Sequence, residues 1–75
     1  MVNVNKLKGK IVENGLTIGI LAEKMGIDRS TLYRKINNNG EMFTIREANL
    51  ICSILNLDAH EATAIFLAAM SHDMQ

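Results

Sequence analysis

Hydrophobic residues recur along this chain every three or four positions, which is the spacing of one face of an α-helix. Capping residues, glycine and asparagine interrupt the pattern at short intervals, so it predicts five short helices. The predicted helices run from Val4 to Glu13, from the cap Thr17 to the stop at Gly26, from about Asp28 to Asn38, from the cap Thr44 to the Leu55-Asn56-Leu57 stretch, and from the acidic turn Asp58–Glu61 to about Met70. Residues 71–75 are predicted to be a frayed tail.

The apolar faces of these helices predict one core, so residues 1–75 are expected to form a single domain. A chain of 75 residues is near the lower limit for building a core without metal or disulfides. Cys52 is the only cysteine, and its place on the apolar face of the fourth helix indicates core packing. The residues predicted to face inward are Val4, Leu7, Ile11, Ile18, Leu21, Met25, Ile27, Leu32, Ile36, Ala48, Ile51, Cys52, Leu55, Ala62, Ile65, Phe66 and Ala69.

The second and third helices meet across a connection too tight for an ordinary antiparallel pair of long helices. Gly26 supplies a residue that accepts positive φ at this turn. Ala22, four residues earlier, lets the helices approach closely, and Ile27 is followed five residues later by the aliphatic Leu32. This spacing is typical of a helix-turn-helix, a motif that places its second helix in the major groove of DNA.

The stretch from Ile18 to Ile36 resembles the helix-turn-helix of the Cro/C1 (XRE-type) repressor family. It reads IGILAEKMGIDRSTLYRKI. Residues 43–45 with the Leu55-Asn56-Leu57 stretch resemble that family's fourth helix, and residues 62–66 resemble its fifth. The resemblance therefore covers nearly the whole chain, and it implies an all-α fold, a compact five-helix lambda-repressor-like DNA-binding domain.

The same resemblance implies a transcriptional regulator that occupies an operator, as a phage-type repressor or Cro-like protein does. Short members of this kind are typical of phages and prophages. The family often has glutamine at the first helix-turn-helix position, where it contacts a phosphate, whereas this chain has Ile18. Thr17 or the backbone N–H groups at the start of the second helix would then make that phosphate contact.

The geometry of the third helix selects the residues that face DNA. Leu32 and Ile36 define its core side, and at 100° per residue Ser30, Arg34 and Asn37 lie nearly opposite. The positions that contact bases in the family map onto Arg29, Ser30 and Arg34, in agreement with the wheel. The residues predicted to bind DNA are Thr17, Arg29, Ser30, Thr31, Tyr33, Arg34, Lys35, Asn37 and Asn38.

Each type of side chain suggests a different contact. An arginine donates two hydrogen bonds to guanine O6 and N7, so at least one G is expected in each half-site. Tyr33 is suited to a thymine methyl or a phosphate, and Lys35 with the asparagines that follow is suited to backbone contact. Other interpretations stay open: Arg34 as a surface charge paired with Glu41 or Asp28, Tyr33 as a half-buried side chain against the first helix, and the asparagine run as a turn only.

The formal net charge of zero does not by itself indicate a nucleic-acid partner, but the charges are unevenly placed. Up to Gly40 there are seven lysines and arginines against three carboxylates, an excess of four positive charges, and beyond Gly40 there is an equal negative excess. A surface that faces phosphates needs local positive potential rather than a positive total. The distribution is therefore consistent with a positive surface that faces phosphates, and the alternative is ordinary scatter of charge over a solvated surface.

Other chemistry is not indicated by the sequence. His60 and His72 are too isolated to form a metal site, and no pattern of catalytic residues or phosphate loop is present, so we expect no enzyme, metal or cofactor. No signal peptide or membrane-spanning run is seen, so a cytoplasmic protein is expected. The fifth helix has more apolar residues than one inward face needs. This suggests either a homodimer formed through Ala64, Leu67, Ala68 and Met70 or a helix packed on more than one side in a small core.

The expected partner is double-stranded DNA, with an operator that is an inverted repeat if the protein is a dimer. Two alternatives use the same fold. One is a protein-interaction adaptor of the antitoxin or antirepressor kind, which the neutral net charge and the apolar fifth helix favour. The other is a DNA-processing subunit such as a terminase or excisionase partner.

Overall fold

A computed structural model describes residues 2–38 and 43–71, with side chains described as far as residue 66. Within these ranges the predicted all-α architecture is confirmed, and no strand is found. The helices are α1 Val4–Glu13, α2 Ile18–Met25, α3 Arg29–Asn37, α4 Ile45–Ile54 and α5 Ala59–Ser71. The predicted tail beyond Ser71 and the asparagine-glycine turn beyond Asn38 lie outside the described residues.

The helices begin where the sequence places capping side chains. The Thr17 hydroxyl accepts a hydrogen bond at 3.1 Å from the backbone N–H three residues later. Thr44 and Glu47 form the predicted capping box, in which each side chain accepts from the other residue's backbone N–H. Asp58 and Glu61 repeat the arrangement at the start of α5, with distances of 2.8 and 3.1 Å. These bonds satisfy N–H groups that a helix start otherwise leaves unpaired.

The buried residues of all five helices form one core. The core residues are Val2, Leu7, Ile11, Leu21, Ala22, Met25, Leu32, Ile36, Phe43, Ala48, Ile51, Leu55, Ile65 and Phe66. The predicted inward faces are confirmed, although Val4, Ile18, Ile27 and Cys52 are only half-buried at its margin. Ala62 is buried as predicted, and the side chain of Ala69 lies outside the described residues.

Phe66 lies at a kink in α5 and at the centre of the core. Its backbone departs from helical geometry (φ −113°, ψ 18°), and its side chain is fully buried. The ring meets that of Phe43 edge to face, with centroids 6.3 Å apart and planes at 89°. This is a favoured geometry for an aromatic pair. The pair joins the segment before α4 to α5. Val2 and Phe43 lie outside the helices, so helical periodicity does not predict their place in the core.

Lys10 connects α1 to α5. Its ammonium lies 2.9 Å from a carboxylate oxygen of Glu13 and 2.6 Å from one of Glu61, and its side chain is 14% exposed. The bond to Glu61, reinforced by Glu13, raises the pKa of Lys10, and the same ammonium lowers the pKa of Glu61. Lys10 therefore links α1 to the first turn of α5. In the part of the chain described, no helix is long and apolar enough to cross a membrane.

Candidate nucleic-acid interface

The turn between α2 and α3 has the geometry that the sequence predicts. Gly26 ends α2 in the left-handed region (φ 75°, ψ 25°), where a side chain would be strained. The backbone N–H of Gly26 donates to Glu23 O at 3.1 Å, and that of Ile27 donates to Ala22 O at 3.0 Å. Asp28 is extended, and α3 starts at the next residue. The closed turn fixes the angle between the two helices.

Packing of α3 on the core decides which of its side chains face outward. Leu32 and Ile36 are buried, as is Leu21 of the helix against which α3 packs. The opposite face is exposed, as the helical wheel predicts. The exposed residues of α3 are Arg29, Ser30, Tyr33, Arg34 and Asn37, with Thr31 and Lys35 half-buried at its edges. Asn38, which caps the C-terminus of α3, is also exposed.

A shallow depression of about 340 Å³ lies along this face between α2 and α3. It is lined by Thr17, Gly19, Ile20, Glu23, Arg29 and Tyr33. Tyr33 is 43% exposed and lies on the side of α2, rather than in the core. The Arg29 side chain lies against the first turn of α2, close to Gly19. The depression therefore brings the start of α2 and the outer face of α3 onto one surface.

The side chain of Asp28 does not cap α3. Asp28 occupies the predicted N-cap position, but its side chain makes no capping hydrogen bond. Instead, the Ser30 hydroxyl donates to the Asp28 carboxylate. Ser30 is thus oriented by a neighbour on the same exposed surface, and its hydroxyl oxygen still has capacity to accept a bond from a ligand.

A family model of the Cro/C1-type HTH DNA-binding domain matches residues 6–62. The chain belongs to this family. Comparison with curated proteins and with solved structures finds no match for it. The family is one of DNA-binding regulators, so α2 and α3 are the helix-turn-helix of a domain that binds double-stranded DNA.

In this Cro/C1-type domain, Lys35 has a partner that the sequence pattern does not predict. Its ammonium lies 3.2 Å from a carboxylate oxygen of Glu47, and the two side chains are 15% and 20% exposed. The same oxygen accepts a bond from Thr44 N–H at 2.9 Å, so the capping box of α4 also holds α3. Twelve residues separate the pair, and no helical spacing relates them. The predicted contact of Lys35 with DNA stays a prediction.

The position of Glu47 affects its titration. Partial burial would raise the pKa of this carboxyl, but the bond from Thr44 N–H and the Lys35 ammonium outweigh burial and hold the pKa below its ordinary value of 4.5. A carboxylate with a depressed pKa stabilises the folded state above its unfolded pKa. That contribution is lost as the pH falls through the folded pKa.

Replacing Glu47 by glutamine in the Cro/C1-type domain should lower the free energy of unfolding by about 1 kcal/mol at neutral pH, because the amide keeps a hydrogen-bond acceptor but loses the charge. Urea unfolding near pH 7 and near pH 3 measures this, and the difference from wild type should shrink in acid. Glu23→Gln, at an exposed position of α2, is the control and should change little. A Glu47→Gln difference that stays constant with pH would contradict the assignment.

Proposed function

We propose that this protein is a sequence-specific transcriptional regulator of the phage-repressor or Cro type, which occupies an operator and blocks polymerase. The observation that carries the proposal is the outer face of α3, where Arg29 and Arg34 are exposed beside Ser30 and Asn37. A recognition helix reads bases in the major groove through such polar side chains. As a regulator of this type, the protein would act in the cytoplasm.

Arg34 is the principal base-reading residue in this proposal. It lies on the side of α3 directly away from the buried Leu32 and Ile36, so it projects farthest into a groove that receives this helix. Its guanidinium presents two parallel donors that match O6 and N7 of guanine. Arg29, in the first turn of α3, reads a neighbouring base, and Ser30 contributes a shorter polar contact.

Phosphate contacts flank the base-reading face. Thr17 and the first N–H groups of α2 lie on the same surface as α3, and a helix N-terminus favours a bound phosphate. Asn37 and Asn38 at the end of α3 are exposed and suited to the sugar-phosphate backbone. Lys35, which pairs with Glu47, is proposed to contact the sugar-phosphate backbone as well. Such contacts set the register of the protein on DNA.

The proposal includes a two-fold dimer formed through α5. Ala64 is half-buried, and the other residues proposed for this interface are Leu67, Ala68 and Met70, whose side chains lie outside the described part. A two-fold axis would set the two copies of α3 about one DNA turn apart, ~34 Å. The operator would then be an inverted repeat.

In vitro selection from random duplex DNA, with the purified protein at near-physiological salt, tests the proposed function. Enrichment of an inverted repeat whose half-sites contain G and lie about one turn apart is the expected result. A single enriched half-site would support the regulator and contradict the dimer. Weak, salt-sensitive binding without any enriched sequence would contradict sequence-specific regulation, since phosphate contacts alone give such binding.

A second candidate function, a protein-interaction adaptor, is favoured by an apolar groove beside the helix-turn-helix. The groove has a volume of about 260 Å³ and is lined by Lys8, Ile11, Val12, Leu16, Thr17 and Ile18. Val12, which lines this groove, is 73% exposed. Selection without enrichment would favour this candidate, whereas an enriched operator would favour the regulator.

A further inference from the structure

We propose that Gly19 is a positioning residue for DNA recognition: its missing side chain gives the Arg29 side chain a place against α2, and that place sets where the guanidinium meets the DNA. The inference deepens the proposed function and rests on it. It assigns a role to a residue that itself carries no group able to contact a base.

The contact is defined by the space beside Gly19. A Cβ atom built on this glycine would lie 3.1 Å from Arg29 Nε, 3.6 Å from Cζ and 3.7 Å from Cδ. The first of these distances is tighter than ordinary van der Waals contact. The Arg29 side chain therefore lies directly against the Gly19 position, and a Cβ there would require it to shift by a few tenths of an ångström.

The backbone does not require glycine at this position. Gly19 is a helical residue inside α2, unlike Gly26, whose positive φ ends the helix. Glycine is the least favourable residue for a helix interior after proline. The room it leaves for Arg29 gives a physical reason for glycine in the first turn of α2.

Holding Arg29 against α2 has a consequence for binding. An arginine free in solvent samples many rotamers and loses that freedom when it binds a base. Arg29 instead lies between Gly19 and the exposed side of α3, with Thr17 and Tyr33 lining the same depression. In this proposal, the contact with α2 limits the positions that the Arg29 guanidinium samples before it meets DNA, and so influences which base pair it reaches.

The test compares Gly19→Ala with Gly9→Ala, a matched control inside α1 where a Cβ meets nothing within 4 Å. Both substitutions should raise the thermal midpoint, because alanine favours helix over glycine and the flexible arginine can move aside. Only Gly19→Ala should weaken binding to the duplex that wild-type protein selects, by about tenfold, within the range expected for one arginine–base contact. Gly9→Ala should leave binding unchanged.

Combining Gly19→Ala with Arg29→Ala separates the effect on Arg29 from a general effect. In the Arg29→Ala background, Gly19→Ala should cause no further loss of affinity. An equal loss of DNA affinity in both backgrounds would overturn the inference. An unchanged affinity of Gly19→Ala or of Arg29→Ala would also overturn it, when wild type and Arg34→Ala bind DNA as the proposed function requires. A wild-type protein that enriches no sequence would overturn the proposed function and, with it, this role in DNA reading.

A measurement without DNA tests the contact itself. The NMR resonance of Arg29 Nε–H should shift in Gly19→Ala and stay in place in Gly9→Ala, since only the first adds a methyl group near that atom. An unshifted Arg29 resonance in a folded Gly19→Ala protein would overturn the inference even if DNA affinity fell.

Discussion

Phe66→Ala should lower the free energy of unfolding by about 3–5 kcal/mol, which is the usual cost of removing a buried aromatic ring. Phe66 is fully buried, and its edge contact with Phe43 would be lost together with its packing. A domain of this size has a total stability of roughly 5–10 kcal/mol. One substitution would therefore remove a large part of that stability.

Urea unfolding followed by circular dichroism measures the effect of Phe66→Ala, through a large fall in the midpoint. Val12→Ala is the control, because Val12 is apolar but 73% exposed, and its substitution should change the free energy by less than about 0.5 kcal/mol. Equal midpoints for Phe66→Ala and wild type would show that the Phe66 ring contributes no packing energy to the fold.

Arg34→Ala should weaken binding to the selected operator by about 1–3 kcal/mol, or roughly 5- to 150-fold, if Arg34 reads a guanine. Fluorescence anisotropy at one fixed salt concentration measures the affinity for the operator and for duplexes changed at single base pairs. The variant should lose discrimination at one base pair in each half-site. Its fold should be unaffected, because Arg34 is exposed.

Arg46→Ala removes the same charge from the exposed surface of α4 and is the matched control. It should leave operator affinity nearly unchanged. A similar loss for both variants would show that Arg34 acts only through general electrostatic attraction. An equal loss by Arg34→Ala on every duplex would instead indicate a phosphate contact, since such contacts carry no sequence information.

The sequence predicts the helix-turn-helix well because its determinants are local. Gly26 ends α2 in the left-handed conformation, and the spacing of Leu32 and Ile36 turns the opposite face of α3 outward. Thr17 and Thr44 lie within three residues of the N–H groups they cap. Patterns of this short range are visible in a sequence, so the fold and the exposed face of α3 follow from residue order alone.

Contacts between distant residues could not be predicted in the same way. Lys35 pairs with Glu47 twelve positions away, and Lys10 pairs with Glu61 fifty-one positions away. The position of Arg29 against Gly19 depends on the angle between two helices rather than on spacing. Surface periodicity identifies Lys35 as a candidate for DNA contact but gives no indication of its bond to α4.

The uneven charge distribution also has a second explanation in the structure. The positive excess before Gly40 includes Lys10 and Lys35, each of which is paired with a carboxylate from the negative half of the chain. Part of the uneven charge distribution therefore reflects ion pairs that join α1 to α5 and α3 to α4. Arg29 and Arg34 on α3 and Lys24 on α2 are the exposed cations of the helix-turn-helix.

The segment before α1 is hydrogen-bonded to α5. Asn3 N–H donates to the carbonyl oxygen of Ile65 at 2.8 Å, next to the kink at Phe66, and Val2 is buried in the core. Backbone amides bonded in this way exchange with solvent only when the elements they join come apart. Hydrogen exchange at Asn3 should therefore follow the opening of α5, the helix through which we propose that the protein dimerises.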